Sequence, residues 1–545
     1  MTTAVAGRPA DTPAREARWP LWVALGAIAG VFLLRIPNIV QPMGPDQGVY
    51  ATIGWGLQHD LALYRDMFEQ KPPAIYLTYL LGFLVFGNHV SSIFWIDYLA
   101  ALVTVAAVFE IGRRLVTPRF GGLAAALVAI ATLPAARHAY GGFLERAVTE
   151  TFITPLAALI ALTTVIAVTR DAPRWGFAVG ALAGLAFLYK QTALIYWPLA
   201  LVWTWFVTDT TRTWRFAVYS LPGVALAPTL AVGWLWAQGT IGAMWTAVVE
   251  YNMAYLAVGD HGVGFTIDRF AREVWRRMKT DEVWALGTLS ALVAVCAWRG
   301  RATPTGRVAL LGVLWLGAAL TATFANGPRF FTTYFVPSLV PLALLSAWLL
   351  HQTLGSGRRR VVAAGLAAVA FAGAMTIRSG SVNRASTATL EDARHLLGQT
   401  SREDYLYRYR SRATRAFSAV ENDRLASYIR SRTEPHERIF VFGMTAGTYF
   451  SSQRLPASRF LFAYPAVSDM TGQPDFKVET LAQELDRTSP RYIVLQRSNG
   501  DSFSGWRASE AFQAAPLQTL VGSRYREEAE IGDFVLYRRL DDRGE

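Results

Sequence analysis

Residues 20–73 read PLWVALGAIAGVFLLRIPNIVQPMGPDQGVYATIGWGLQHDLALYRDMFEQKPP. The first part, 20–40, is apolar and long enough to cross a bilayer, which takes about 20 residues of helix. The remainder, 41–73, carries Asp46, Asp60, Asp66, Glu69 and Lys71 in a chain otherwise sparing with charge near its apolar runs. Ionisable groups at a membrane face need a partner or a task. Gly44-Pro45 ahead of Asp46, with Val49, Ile53 and Leu57 at every fourth position, predicts a turn and then an amphipathic helix with Asp46 in its first turn. The helix dipole favours an acid at that position. At the far end of the stretch stands Glu69-Gln70-Lys71-Pro72-Pro73. Of 52 Lys+Arg, only Lys71, Lys190, Lys279 and Lys477 are lysines, so a lysine in this place is a departure from the chain's habit.

Outward from there, apolar runs recur up to about residue 377, and 52% of the 545 residues are hydrophobic. The fold class expected is an α-helical polytopic membrane protein with a C-terminal soluble α/β domain. Spans are expected at 20–40, 90–111, 120–136, 148–169, 175–189, 192–207, 216–236, 282–298, 307–325, 331–350 and 361–377, about eleven in all. The apolar stretch 74–86 is short and reads as interfacial or re-entrant. With residues 1–19 as a cytoplasmic tail, the inside loops then carry Arg113/Arg114/Arg119, Arg170/Arg174, Arg212/Arg215, Arg299/Arg301/Arg307 and Arg358/Arg359/Arg360, as the positive-inside rule asks. The loops 41–89, 137–147, 237–280 and 326–330 fall outside, with the turn Lys190-Gln191 and all that follows residue 377.

The net charge of +12 fits basic loops against anionic headgroups and does not call for nucleic acid. A single cysteine, Cys296, rules out a disulfide framework, and the seven histidines are scattered. No GxxxxGK[ST], HExxH or CxxC pair is present, which disfavours ATP-driven work and zinc proteolysis. From 378 to 420 the chain reads as a basic linker with short helices. The domain 421–545 is expected to alternate helices (422–432, 476–487) with strands (438–443, 459–464, 491–497) and to close on a hairpin, 525–531 with 533–539.

Three further groups carry candidate chemistry. Glu150 opens the fourth span, where a carboxylate is costly unless it is used or caps the helix. Lys190 sits at a tight turn, either snorkelling to headgroups or meeting a phosphate. Arg329 and Tyr334 open the tenth span; the guanidinium fork suits phosphate, and Tyr334 also suits an aromatic belt. One carboxylate base with several cations beside lipid fits attack by a hydroxyl on a carbon that bears a phosphate leaving group.

The block Tyr64-Arg65-Asp66-Met67-Phe68-Glu69-Gln70-Lys71-Pro72-Pro73, behind an acid that opens a helix, resembles the GT-C membrane glycosyltransferases. The branch is that of protein O-mannosyltransferases and the lipid A aminoarabinose transferase; Arg-Phe-x3-Tyr-x2-Pro at 329–337 adds to the likeness. The resemblance implies an inverting transferase that moves a sugar from a polyprenyl-phosphate donor to a glycan, lipid or protein hydroxyl on the outer face of the cell membrane. It maps the base to Asp46, a second acid to Glu150, and the donor-phosphate contact to Lys71. Beside these, Arg329 and Lys190 are expected as further phosphate contacts, and Tyr50, Asp66, Glu69 and Tyr334 as substrate contacts. Many members have Asp-Glu where this chain has Asp46-Gln47. Some bind a divalent metal ion near the acids, which would fall to Asp46 and Glu150; this sequence neither demands nor excludes one. The alternative reading is a transporter or flippase of lipid-linked sugars. Against it stand charges gathered at one face rather than mid-membrane, and the lack of a two-fold repeat.

Overall fold

The computed structural model describes residues 19–134, 142–258, 262–296, 302–355, 359–410, 417–468, 473, 475–497 and 508–540. Arg137, Asp260, Arg299, Arg301 and Arg358 lie outside the described residues, as do most of the tail 1–19 and the last residues of the expected spans 120–136 and 282–298.

The membrane part runs α1 (Trp19–Arg35), α2 (Pro45–Gly56), α3 (Ala74–Phe86), α4 (Ser91–Leu115), α5 (Pro118–Ala131), α6 (Thr149–Thr169), α7 (Gly176–Phe187), α8 (Tyr196–Val207), α9 (Thr210–Ala237), α10 (Ile241–Trp245), α11 (Tyr251–Val258), α12 (Val263–Thr280), α13 (Glu282–Cys296), α14 (Pro304–Phe324), α15 (Leu339–Gly355) and α16 (Arg359–Ser379). Each of the eleven expected spans falls on helix. Among the described residues, six helical stretches are long and apolar enough to cross a bilayer on their own, with a seventh possible where α16 bends into the next helix. The expected spans over α5 and α13 are shorter apolar helices, as is α3. The chain is a polytopic α-helical membrane protein.

Small residues let the helices approach. Gly176, Gly180 and Gly184 form one stripe of α7, and the space a side chain would take there is filled by the backbone carbonyls of Phe216, Ser220 and Val224 on α9. Such four-residue spacing of small residues drives close packing where lipid gives helices no hydrophobic reason to associate.

After α16 come α17 (Ser381–Leu396) and α18 (Arg402–Tyr407). The segment expected as a linker is thus largely helical, and it is tied down. Asp392 is fully buried and accepts hydrogen bonds from Asn38 Nδ2 at 2.8 Å and Gln41 Nε2 at 2.5 Å, just past α1, and from Tyr405 OH at 2.8 Å and Tyr409 OH at 3.1 Å.

The C-terminal domain comprises α19 (Ala419–Arg432), β1 (Ile439–Phe442), α20 (Gly447–Ser452), α21 (Tyr464–Val467), α22 (Val478–Thr488), β2 (Tyr492–Gln496), α23 (Ala508–Ala511), α24 (Ala515–Arg524), β3 (Tyr525–Ile531) and β4 (Phe534–Arg539). The strands lie in the order β1-β2-β4-β3; β1 and β2 are parallel, and β4 is antiparallel to both its neighbours. Strands β1 and β2 are buried at every residue, as the apolar runs IFVF and YIVL suit a sheet covered on both faces. The strand expected at 459–464 is not one. It is a loop with a single bridge, Phe460 to Phe68 of the first membrane loop: Arg459 O accepts from Phe68 N at 2.7 Å, and Ala463 N donates to Gly443 O, just past β1, at 3.2 Å.

Candidate active site

The sequence folds 41–73 into a fixed structure. Pro45 starts α2, Gln47 Oε1 accepts from Gly44 N at 2.9 Å, and Asp46 stands in the first turn. Gln47 is fully buried and donates from Nε2 to Arg146 O at 2.7 Å, a bond a carboxylate could not make. Tyr64 adopts φ +68°, which turns the chain back so that its hydroxyl reaches Lys71 O at 2.9 Å.

A cavity of about 1270 Å³ opens between this end of the bundle and the C-terminal domain. Asp46, Tyr50, Glu69, Lys71, Glu150, Lys190, Arg329 and Tyr334 all line it. They come from four separated parts of the chain: the first loop, the start of α6, the turn before α8 and the approach to α15. Asp66 does not line it. Its carboxylate pairs with Arg65 at 3.0 Å and accepts from Ala62 N at 2.8 Å, closing its own turn, so its expected contact with substrate is corrected to a local structural role.

Each lysine is held by an acid. Lys71 Nζ meets Glu69 Oε1 at 3.2 Å and lies 5.2 Å from the Tyr50 ring; Tyr50 OH is 3.4 Å from Asp46 Oδ2. Burial alone would lower the Lys71 pKa, but Glu69 and Asp46 outweigh it and raise it above the ordinary lysine value, so the ammonium stays charged. Glu69 also receives the Tyr76 hydroxyl. Its geometry is that of a support for Lys71. Lys190 Nζ meets Glu150 Oε1 at 2.7 Å, Thr149 Oγ1 donates to Glu150 Oε2 at 2.7 Å, and the ammonium sits 3.6 Å from the Tyr334 ring centroid. Burial, only partly offset by Glu150, lowers the Lys190 pKa. Arg329 is 5% exposed, donates to Tyr255 O at 2.8 Å and stacks 3.5 Å over the Tyr255 ring.

The geometry adds residues that the sequence did not single out. Tyr255 orients Arg329, and Tyr76 orients Glu69. Glu145 also lines the cavity, and burial together with the charge of Asp46 pushes its pKa up to about 7. Among the described residues no group of three or more His, Cys, Asp or Glu side chains converges as a metal site. Glu150 is engaged by Lys190 and Thr149, so Asp46 and Glu150 do not form a ligand set for a divalent ion.

The C-terminal domain is part of this site. Gly48 of α2 and Gly447 of α20 touch backbone to backbone, and Thr52 Oγ1 donates to Ala446 O at 2.8 Å. Phe68 N donates to Arg459 O at 2.7 Å, and Phe68 packs edge-on to Phe476.

Comparison with known proteins agrees with this architecture. Residues 70–236 match the family described as dolichyl-phosphate-mannose-protein mannosyltransferase. The fold is similar to that of ArnT from Cupriavidus metallidurans bound to undecaprenyl phosphate, with TM-score 0.59, 14% identity, and 97% of this chain and 99% of that chain covered. The apo form of that protein gives 0.57, 15%, 96% and 99%. The oligosaccharyltransferase of Archaeoglobus fulgidus tethered to an acceptor peptide gives 0.50, 12%, 96% and 74%. No curated protein matches in sequence. The fold is shared with ArnT and with the archaeal oligosaccharyltransferase.

Proposed function

We propose that the chain is an inverting glycosyltransferase that takes a sugar from a polyprenyl-phosphate donor and passes it to an acceptor hydroxyl at the outer face of the membrane. The observation that carries this reading is the convergence of Asp46 with Lys71, Lys190 and Arg329 on one cavity at the mouth of a helical bundle. The solved relative with a lipid phosphate, ArnT with undecaprenyl phosphate, supports the donor class. The basic short loops at the opposite ends of α4, α6 and α8 support an N-terminus in the cytoplasm and a C-terminal domain outside.

In this reading Asp46 takes the proton of the acceptor hydroxyl as its oxygen bonds to the anomeric carbon. The bond from that carbon to the phosphate oxygen breaks on the opposite face, and the polyprenyl phosphate leaves with the electron pair. Lys71, Lys190 and Arg329 stabilise its charge. Glu69 and Glu150 position the lysines through the ion pairs they make. The lining of the cavity is drawn from one end of the bundle, which favours transfer over transport.

The test is reconstitution in liposomes with a panel of polyprenyl-phosphate sugars, with mass spectrometry of cell-envelope glycans from a deletion strain to name the sugar and acceptor. Wild-type protein transfers sugar from at least one donor, and Asp46→Asn lowers the rate about 10²–10⁴-fold. Absence of transfer from every lipid donor, or an Asp46→Asn protein as active as wild type, would sink the assignment.

A further inference from the structure

Glu145 has no part in the chemistry above, yet it is placed with more care than a loop residue needs. It ends the single helical turn Gly142–Glu145, and its side chain lines the cavity beside Asp46. Its Oε2 atom is buried and has no hydrogen-bond partner among the described residues. A buried carboxylate oxygen left unpaired costs stability, so its persistence points to a partner that comes and goes.

The backbone on both sides of Glu145 is pinned. On one side the Leu144 carbonyl fills the space that a side chain at Gly44 would occupy, so only glycine lets the two segments meet. On the other, Arg146 O accepts from Gln47 Nε2 at 2.7 Å, and the Arg146 guanidinium is held by Asp97 at 3.1 Å. Ala147 is fully buried at φ +53°, a conformation that costs a non-glycine residue of order 1–3 kcal/mol, and its carbonyl accepts from Tyr79 OH at 2.9 Å. Residues 44 and 47 that grip the segment flank Asp46. The two acids are thus set on facing backbones and feel each other's charge.

Resting on the reading of the chain as a glycosyltransferase, we propose that Glu145 is a second catalytic carboxylate, which hydrogen-bonds the acceptor hydroxyl beside Asp46 and becomes the seat of the proton that Asp46 removes. As the acceptor oxygen bonds to the anomeric carbon and the carbon–phosphate-oxygen bond breaks, the hydroxyl proton passes to Asp46 and then to Glu145. Polyprenyl phosphate departs as the anion. Asp46 is returned to its charged form, and Glu145 gives the proton to water when product leaves. An acid whose pKa lies near the working pH is matched to that task, and burial has moved Glu145 to about 7. The other titratable or charged groups on the same cavity are Asp46 and Tyr50 of α2, Glu69, Lys71, His89, Glu150, Lys190, Tyr251, Tyr255, Arg329 and Tyr334 from the membrane part, and His395, Arg402, Asp423 and Tyr464 from the segments that follow it.

The experiment compares wild type, Glu145→Gln and Glu145→Ala in the liposome assay, with undecaprenyl phosphate binding measured in parallel by native mass spectrometry. Expected are a fall in kcat of about 10–10²-fold for Glu145→Gln, undiminished binding of undecaprenyl phosphate, and loss of a rate change near pH 7 that wild type shows. An active wild type with Glu145→Gln equally active would overturn the role of Glu145 alone. So would a loss of rate matched by lost lipid binding in both variants, which marks a structural residue. Wild type inactive with every donor would instead remove the reading beneath it.

Discussion

Substituting Gly48 by alanine presses on the contact between the membrane part and the C-terminal domain. A Cβ at Gly48 would lie 2.8 Å from both Cα and N of Gly447, and these are backbone atoms that cannot rotate aside. Reaching the 3.4 Å of ordinary contact requires α2 and α20 to separate by 3.4 − 2.8 = 0.6 Å. Overpacking of this kind costs about 1–3 kcal/mol. The gain in helix propensity from glycine to alanine returns roughly 0.5–1 kcal/mol, leaving a net loss of about 0–2.5 kcal/mol. The rate suffers more than the stability, because α2 carries Asp46. A misplacement of about 1 Å can cost about 10²-fold, so a 0.6 Å shift is expected to lower kcat on the order of 10-fold. The control is Gly233→Ala on α9, where nothing lies within 4 Å of the new Cβ. Melting temperature and transfer rate in liposomes, measured on both variants, decide the matter. If Gly48→Ala is as stable and as active as Gly233→Ala, the domain contact does not set the position of Asp46.

Other outcomes follow from the ion pairs and the buried acid. Lys190→Met strands Glu150 as an uncompensated buried charge and should cost about 3–5 kcal/mol; adding Glu150→Gln should recover much of the melting temperature in thermal unfolding without restoring transfer. Arg329→Lys keeps the charge but loses the planar fork stacked on Tyr255, so it should weaken undecaprenyl phosphate binding by about 10-fold, readable by native mass spectrometry. Glu145 has a folded pKa raised from 4.5 to about 7, so the folded state holds its proton more tightly than the unfolded one. Its contribution is therefore complete below pH 4.5 and lost as pH rises through 7, a swing of about 3 kcal/mol. Glu145→Gln should accordingly melt above wild type at pH 8 and level with it near pH 4.5.

The membrane architecture is legible in the sequence because lipid leaves a chain few choices. Each apolar window lands on a helix, and Gly44-Pro45 announces the start of α2. What the sequence hides is which neighbours share a face. Asp66 and Lys71 are close in sequence, but Asp66 closes its own turn with Arg65 and Ala62 while Lys71 faces the cavity. Glu150 and Lys190 are forty residues apart and form one pair. Glu145 sits in a loop rich in arginine and shows no periodicity, and only the fold reveals that Gly44 and Gln47 hold it beside Asp46. The segment 459–464 has the composition of a strand, yet its backbone bonds are divided between Phe68 of the first membrane loop and Gly443 past the end of β1.

The bond from Thr52 to Ala446 joins residues 394 positions apart. On a ribosome adding about 5–20 residues per second, the loop bearing Asp46 emerges first and waits roughly 20–80 s for the partner that seats it. Until the C-terminal domain has been made, the nascent protein is a membrane bundle whose Asp46 helix lacks the contact that seats it.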